Sequence, residues 1–168
     1  MPARQSLLSL VVLAKWDGEG GVFDIRSSRA LREDLEERRL RALPSRVGHS
    51  FIKETMRESG AKLGGELSGH FYFEEFFHSD SAILAALKIL EILSRENLPL
   101  SELTRPYLRY FHSGETNLKT THKAEVMKDL EEHYADGRKN YLDGLTVEYP
   151  HFWFNVRPSN TENLLRLV

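Results

Sequence analysis

Between Val22 and Arg95, short apolar runs alternate with segments of helical periodicity, and this rhythm restricts the possible fold more than any other feature. Val22-Phe23-Asp24-Ile25-Arg26 reads as a strand with Phe23 and Ile25 on one side. Ser27 or Ser28 then caps a predicted helix reaching about Arg39. Leu40 to Ser45 is a second strand, and His49 to Glu58 a second helix, with Phe51, Ile52 and Met56 on one side and Ser59-Gly60 as its stop. Lys62 to Glu66 is a third strand, and the aromatic-rich Phe71 to Phe77 a fourth. Asp80 or Ser81 caps a third helix running to about Arg95. Its Ile83, Leu84, Leu87, Ile89, Leu90, Ile92 and Leu93 wrap nearly every face, which predicts thorough burial. Alternating strands and helices of this kind build an α/β layer. Upstream, Gln5 to Lys15 fits either a buried helix or a strand; Lys15, just before an Asp17-to-Gly21 turn, favours the helix.

The character changes after Ser113. Glu115 to Thr121 is a polar strand, followed by a helix from Lys123 to about Tyr134 with a stripe of Val126, Met127, Leu130 and Tyr134. Asp143-Gly144 is a turn. Leu145 to Tyr149 and Phe152 to Arg157 form a hairpin around Pro150-His151, and the chain ends within a last strand from Leu164 to Val168. That ending leads us to expect a chain that is cut short. The expected architecture is a three-layer α/β domain over residues 1–112 and a truncated α+β domain, a small sheet with helices on one face, over residues 113–168.

Composition narrows the partners. The chain has 168 residues, 40% of them hydrophobic and 29% charged, enough apolar material for folded domains. A net charge of −2 argues against nucleic acid as a partner. Arg38, Arg39 and Arg41 stand beside Glu33, Asp34, Glu36 and Glu37, as at the solvated end of a helix. Without cysteine there is no disulfide framework and no thiolate metal site. The run Leu7 to Ala14 is too short for a bilayer, which takes about 20 residues. The expectation is therefore a cytoplasmic protein with no membrane partner.

Two loops carry chemistry. Gly64-Gly65-Glu66-Leu67-Ser68-Gly69-His70 places a carboxylate, a hydroxyl and an imidazole among three glycines. Glu66 accepts, Ser68 and His70 both donate and accept, and Glu66 and Ser68 point the same way in an extended loop. Such a loop reads adjacent sugar hydroxyls; equally, it is a Gly-rich turn with Glu66 solvated. Arg157-Pro158-Ser159-Asn160-Thr161 follows a strand with a guanidinium, two hydroxyls and an amide, a phosphate-binding set or else a polar surface turn with Arg157 in an ion pair. His49 opens a helix, as an acid-base group or as part of its N-terminal cap. Arg26 ends a strand, where α/β sheets place ligands, or makes an ordinary salt bridge.

Together, Phe23 to Arg29, Gly48 to Lys53, Gly64 to Phe73, Asp143-Gly144 and Val156 to Arg166 resemble the α-D-phosphohexomutase superfamily, most of all its phosphomannomutase/phosphoglucomutase branch. Leu67 and Asn160 favour that branch over the phosphoglucosamine mutases. The resemblance implies the third and fourth of four domains. It implies that Glu66, Ser68 and His70 grip the sugar O3 and O4. Arg157, Ser159, Asn160 and Thr161 would hold the phosphate that is not transferred. Arg26 and His49 would flank the reacting phosphoryl group in supporting roles, Arg26 standing where several relatives carry Lys. A guanidinium stabilises charge but is no base.

The family's phosphoserine and its Asp-Gly-Asp-x-Asp-Arg magnesium loop have no counterpart here. Asp17-Gly18-Glu19-Gly20 has two acids and no Arg, and Asn163 replaces a common Pro. No metal ligand and no cofactor is expected in this chain, Mg2+ being implied for the full-length enzyme. The expected role is that of a fragment, inactive alone, which binds mannose or glucose phosphate. The alternatives are a non-catalytic sugar-phosphate-binding or regulatory module, or one half of a split mutase whose N-terminal domains form a separate chain.

Overall fold

A computed structural model describes residues 20–168. The helix expected over Gln5 to Lys15, and Asp17 to Glu19 of the expected turn, lie outside the described residues. The chain divides into two compact units between Phe111 and His112.

In the first unit the order is β1 (Gly20–Asp24), α1 (Arg29–Glu37), β2 (Arg41–Ser45), α2 (His49–Ser59), β3 (Leu63–Gly65), β4 (Phe71–Phe73), β5 (Ser79–Asp80), α3 (Ala82–Glu96) and α4 (Leu100–Thr104). Gly20 and Gly21 are therefore strand rather than turn. The strands form one sheet in the order β2-β1-β3-β4-β5. β1 pairs in parallel with β2 and β3, while β3-β4 and β4-β5 are antiparallel.

Alternation along β1 sends neighbouring side chains into two cores. Phe23 joins Leu31 and Leu35 of α1, Leu63, Phe71, Phe73 and Ala85 of α3. Val22 joins Ile52 and Met56 of α2, Ala61 and Tyr72. Helices thus cover both faces, as expected of a three-layer α/β domain. Local chemistry starts the helices where the sequence placed them. Ser28 Oγ accepts from the Ala30 N–H at 3.2 Å, and Ser81 Oγ from the Leu84 N–H at 3.2 Å. Gly64 lets α2 lie directly on β3: a Cβ there would stand 2.8 Å from both Ile52 Cγ2 and Met56 Sδ.

Two expectations fail in this unit. The strand expected over Phe71 to Phe77 stops at Phe73; Glu74–Phe76 is a 3-10 turn, and Phe77 and His78 take φ of 57° and 55°. Phe71, Tyr72 and Phe73 are buried, while Phe76 and Phe77 are exposed, because the chain must reverse within a few residues to pair β5 with β4. The aromatic run therefore spans two environments. The third helix is also less buried than its apolar residues suggest. Ala85 and Ile92 are buried, but Ile83 is 77% exposed and Leu87 and Leu90 57%. One sheet face covers only one stripe of a helix.

The second unit comprises β6 (Thr116–Lys119), α5 (Lys123–His133), β7 (Arg138–Asn140), β8 (Leu145–Glu148), β9 (Trp153–Pro158) and β10 (Leu164–Leu167). All its pairings are antiparallel, in the order β6-β10-β9-β8-β7. α5 joins β6 and β7, the two edge strands, so it crosses one face of the sheet. Val126, Met127, Leu130 and Tyr134 form its half-buried stripe, and the Tyr134 ring lies 4.8 Å from that of Phe154. Phe154 and Val156 of β9 therefore face α5, and the alternating Asn155 and Arg157 occupy the opposite face. The short polar strand β7 was not anticipated. No described helix is long and apolar enough to cross a membrane.

Candidate functional site

In the parallel pairing of β1 with β3, Phe23 stands opposite Gly65. Their next residues, Asp24 and Glu66, therefore emerge side by side at the carboxyl ends of the two strands, the end at which α/β sheets bind ligands. Residues 66–70 close the β3-β4 hairpin. The Glu66 N–H donates to the His70 carbonyl at 3.0 Å and the Gly69 N–H to the Glu66 carbonyl at 2.9 Å.

Glu66 is only 5% exposed, so the solvated-turn reading of this loop does not hold. Its Oε2 accepts from the Ser68 hydroxyl at 2.8 Å and its Oε1 from the Tyr72 hydroxyl at 3.3 Å. Burial above all, helped by the Glu66 and Asp80 carboxylates, pushes the Tyr72 phenol far up, which keeps it a donor. Asp24 is fully buried and ties the loop to β1. Its Oδ2 accepts from the Leu67 N–H at 2.9 Å and from Arg26 Nη2 at 2.8 Å. Its Oδ1 accepts from the Arg26 backbone N–H at 2.8 Å. Arg26 thus makes the salt bridge foreseen as its simpler role, and that same bridge fixes it beside the loop.

His49 is the first residue of α2, and the cap, Gly48, offers no side-chain bond. The ring centroid of His49 lies 4.4 Å from that of His70 and 5.6 Å from that of Tyr72. Asp80 joins the two histidines. His70 Nδ1 is 3.0 Å from its Oδ2, and His49 Nδ1 is 3.7 Å from its Oδ1. Partial burial works against ionising Asp80, but the hydrogen bond from His70, a backbone bond and the two imidazoles outweigh it and hold the carboxyl below the usual range.

The fold therefore brings Arg26, His49, Glu66, Ser68 and His70 together. It adds three residues that sequence reasoning did not assign to the site: Asp24, Tyr72 and Asp80. Asp80 had been read only as a helix cap, and Tyr72 only as one of a run of strand aromatics.

In the second unit Arg157, next to last in β9, is 9% exposed, with Glu115 Oε2 at 3.3 Å and Asp143 Oδ2 at 3.6 Å. Gly144 permits this approach: a Cβ would fall 2.3 Å from the Val156 carbonyl oxygen, and its φ is 73°. Ser159 is buried and braces the turn, its Oγ accepting from the Thr161 N–H at 3.4 Å and the Glu162 N–H at 3.2 Å. Asn160 and Thr161 are exposed. Lys123 Nζ donates to the Ser159 carbonyl at 2.8 Å, which adds an unforeseen cation to this loop.

Among the described residues, one cluster carries three metal-type ligands: His49, His70 and Asp80. Two imidazoles and one carboxylate do not suit Mg2+, which takes oxygen ligands and keeps several waters. These residues thus offer no Mg2+ site of the kind implied for the full-length enzyme.

Comparison with known proteins agrees with this architecture. Residues 6–110 match the family model "Phosphoglucomutase/phosphomannomutase, alpha/beta/alpha domain III", and residues 115–168 match that of the family's C-terminal domain. Phosphomannomutase of Methanocaldococcus jannaschii is 44% identical over 146 residues, 87% of this chain and 32% of that protein. A phosphomannomutase/phosphoglucomutase of Pseudomonas syringae is 36% identical over 166 residues, 96% of this chain and 36% of that protein. The crystal structure of a phosphoglucomutase/phosphomannomutase family protein of Burkholderia thailandensis superposes with a TM-score of 0.79 at 30% identity, covering 99% of this chain and 36% of that one. The chain thus spans about a third of the length of these relatives. It belongs to the phosphoglucomutase/phosphomannomutase family and carries that family's α/β/α domain III followed by its C-terminal domain.

Proposed function

We propose that this chain binds and orients a hexose phosphate, and that in a complete phosphomannomutase/phosphoglucomutase it serves phosphoryl transfer between O1 and O6 of the sugar. The observation that carries the reading is Glu66, a buried carboxylate held by two neutral hydroxyl donors. A carboxylate directed in this way accepts from sugar hydroxyls, while Ser68 beside it both donates and accepts. With Nδ1 of His70 donating to Asp80, its Nε2 is the nitrogen left to accept from a hydroxyl. Arg157 supplies a forked cation for a phosphate, and the exposed Asn160 and Thr161 supply neutral donors beside it. Arg26 stabilises charge on a phosphoryl group; His49, an imidazole at a helix start, is the residue suited to move a proton. The transfer itself needs a nucleophile, which the resemblance places in another domain.

Calorimetric titration with mannose 6-phosphate tests the reading. Weak binding, at about millimolar ligand, is expected, because the loops recognise without the rest of the site to pre-organise them. Glucose 6-phosphate should bind about equally, since the two sugars differ at O2 while Glu66, Ser68 and His70 are assigned to O3 and O4. Absence of heat with either ligand would sink the proposal.

A further inference from the structure

We propose that His49, His70 and Asp80 form a binding site for a borderline divalent transition metal of the Zn2+ class. One ligand atom from each residue lies within 4.8 Å of the others. A tetrahedral Zn2+ with N and O ligands at about 2.0–2.1 Å requires those atoms to be roughly 3.3 Å apart. His70 Nδ1 lies 3.0 Å from Asp80 Oδ2 and His49 Nδ1 3.7 Å from Asp80 Oδ1, so the carboxylate already sits between the two imidazoles, and side-chain rotation that turns one of its oxygens toward both closes the set. Two imidazoles and a carboxylate form a donor set for Zn2+, Co2+, Ni2+ or Cu2+ and a poor one for Mg2+ or Ca2+.

The three ligands come from three elements, each fixed for reasons of its own. His49 opens α2, His70 ends the β3-β4 hairpin, and Asp80 lies in β5. Each is thus brought to the cluster by backbone that packing has already ordered. Among the described residues the ion-pair partners of Asp80 are these two histidines. A metal therefore exchanges the existing pairing for stronger bonds. His49 is exposed and the other two are half-buried, so the metal has an open path and an open fourth position for water or an oxygen ligand. These arguments rest on geometry and donor chemistry and stand apart from the hexose-phosphate reading. The two readings meet in one consequence: a metal on Nδ1 of His70 leaves Nε2 protonated and unable to accept from a sugar hydroxyl, and it also occupies the His49 imidazole, so Zn2+ would act as an inhibitor at this site.

The test uses the untagged full chain. Co2+ is titrated with detection of its d–d absorption, and Zn2+ is titrated against a chromophoric chelator. One equivalent of either metal should bind. His49→Ala, His70→Ala and Asp80→Asn should each weaken Zn2+ binding by at least about tenfold. The exposed His122, with Glu125 at 3.2 Å, is the competing surface pair, and His122→Gln should leave affinity unchanged. Circular dichroism shows which variants remain folded. On the wild-type chain, nitrogen-15 NMR of the imidazoles should show metal-induced shifts at His49 and His70 and at no other histidine. No binding below millimolar metal would overturn the proposal. So would retained affinity in all three folded variants, or shifts centred on other histidines.

Discussion

In the first unit the buried group is an anion, Glu66, held by two neutral hydroxyls; in the second it is a cation, Arg157, with two carboxylates near it. The difference separates two ways of keeping a polar loop ready for a ligand. Hydroxyl donors hold Glu66 by direction, and backbone bonds across residues 66–70 order the loop. Glu115 and Asp143 offset the charge of Arg157, so the phosphate proposed for this loop would have to share or displace them. The tie of each loop to its sheet differs likewise. Asp24, at the end of β1, grips Leu67 and Arg26 through a wholly buried carboxylate, whereas Ser159 braces its turn through local backbone bonds.

The largest expected effect tests that tie. Asp24→Ala removes a wholly buried carboxylate from the Arg26 guanidinium and the Leu67 N–H and should cost about 3–5 kcal/mol of stability, read by urea denaturation. In the second unit Glu115→Gln leaves Asp143 beside the buried Arg157 and should cost less, about 1–2 kcal/mol. Equal losses would erase the contrast between the two loops.

Next in size is an effect on affinity. Arg157→Lys keeps the charge but removes the fork. Mannose 6-phosphate should then bind roughly tenfold more weakly, a change of about 1.4 kcal/mol, in a calorimetric titration. Unchanged affinity would mean that Arg157 acts only as a partner for Glu115 and Asp143.

Much of this arrangement was legible in the sequence. The βαβ rhythm predicted a strand at Val22, the helices after Ser28 and Gly48, and the third strand, because periodicity and caps are local signals. The polar residue types in the two loops likewise marked Glu66, Ser68, His70 and Arg157. Asp24, Tyr72 and Asp80 were not legible as site residues, because each acts through a neighbour brought in by tertiary pairing. Asp24 reaches Leu67 only through the parallel register of β1 with β3. The extent of the aromatic strand failed for a similar reason. Where Phe73 ends and the reversal begins depends on β5, not on the residues themselves.

The smallest effect concerns Asp80. Its folded pKa lies below the ordinary value of about 3.9. Its contribution to stability is therefore present above the ordinary carboxylate range and is lost as pH falls through the lowered folded value. Melting of the wild-type chain and of Asp80→Asn should differ by about 2 °C at pH 7, and the gap should narrow as the pH falls below the ordinary carboxylate range. A gap that widened on acidification would reverse the sign assigned to this group.

The most direct test of the account is amide NMR of the labelled chain with two ligands. Mannose 6-phosphate should shift residues 66–70 through its sugar and residues 157–161 through its phosphate, whereas inorganic phosphate should shift only 157–161. Shifts by inorganic phosphate at both loops, or by mannose 6-phosphate at neither, would contradict the proposed division of labour, in which one loop reads the sugar and the other the phosphate.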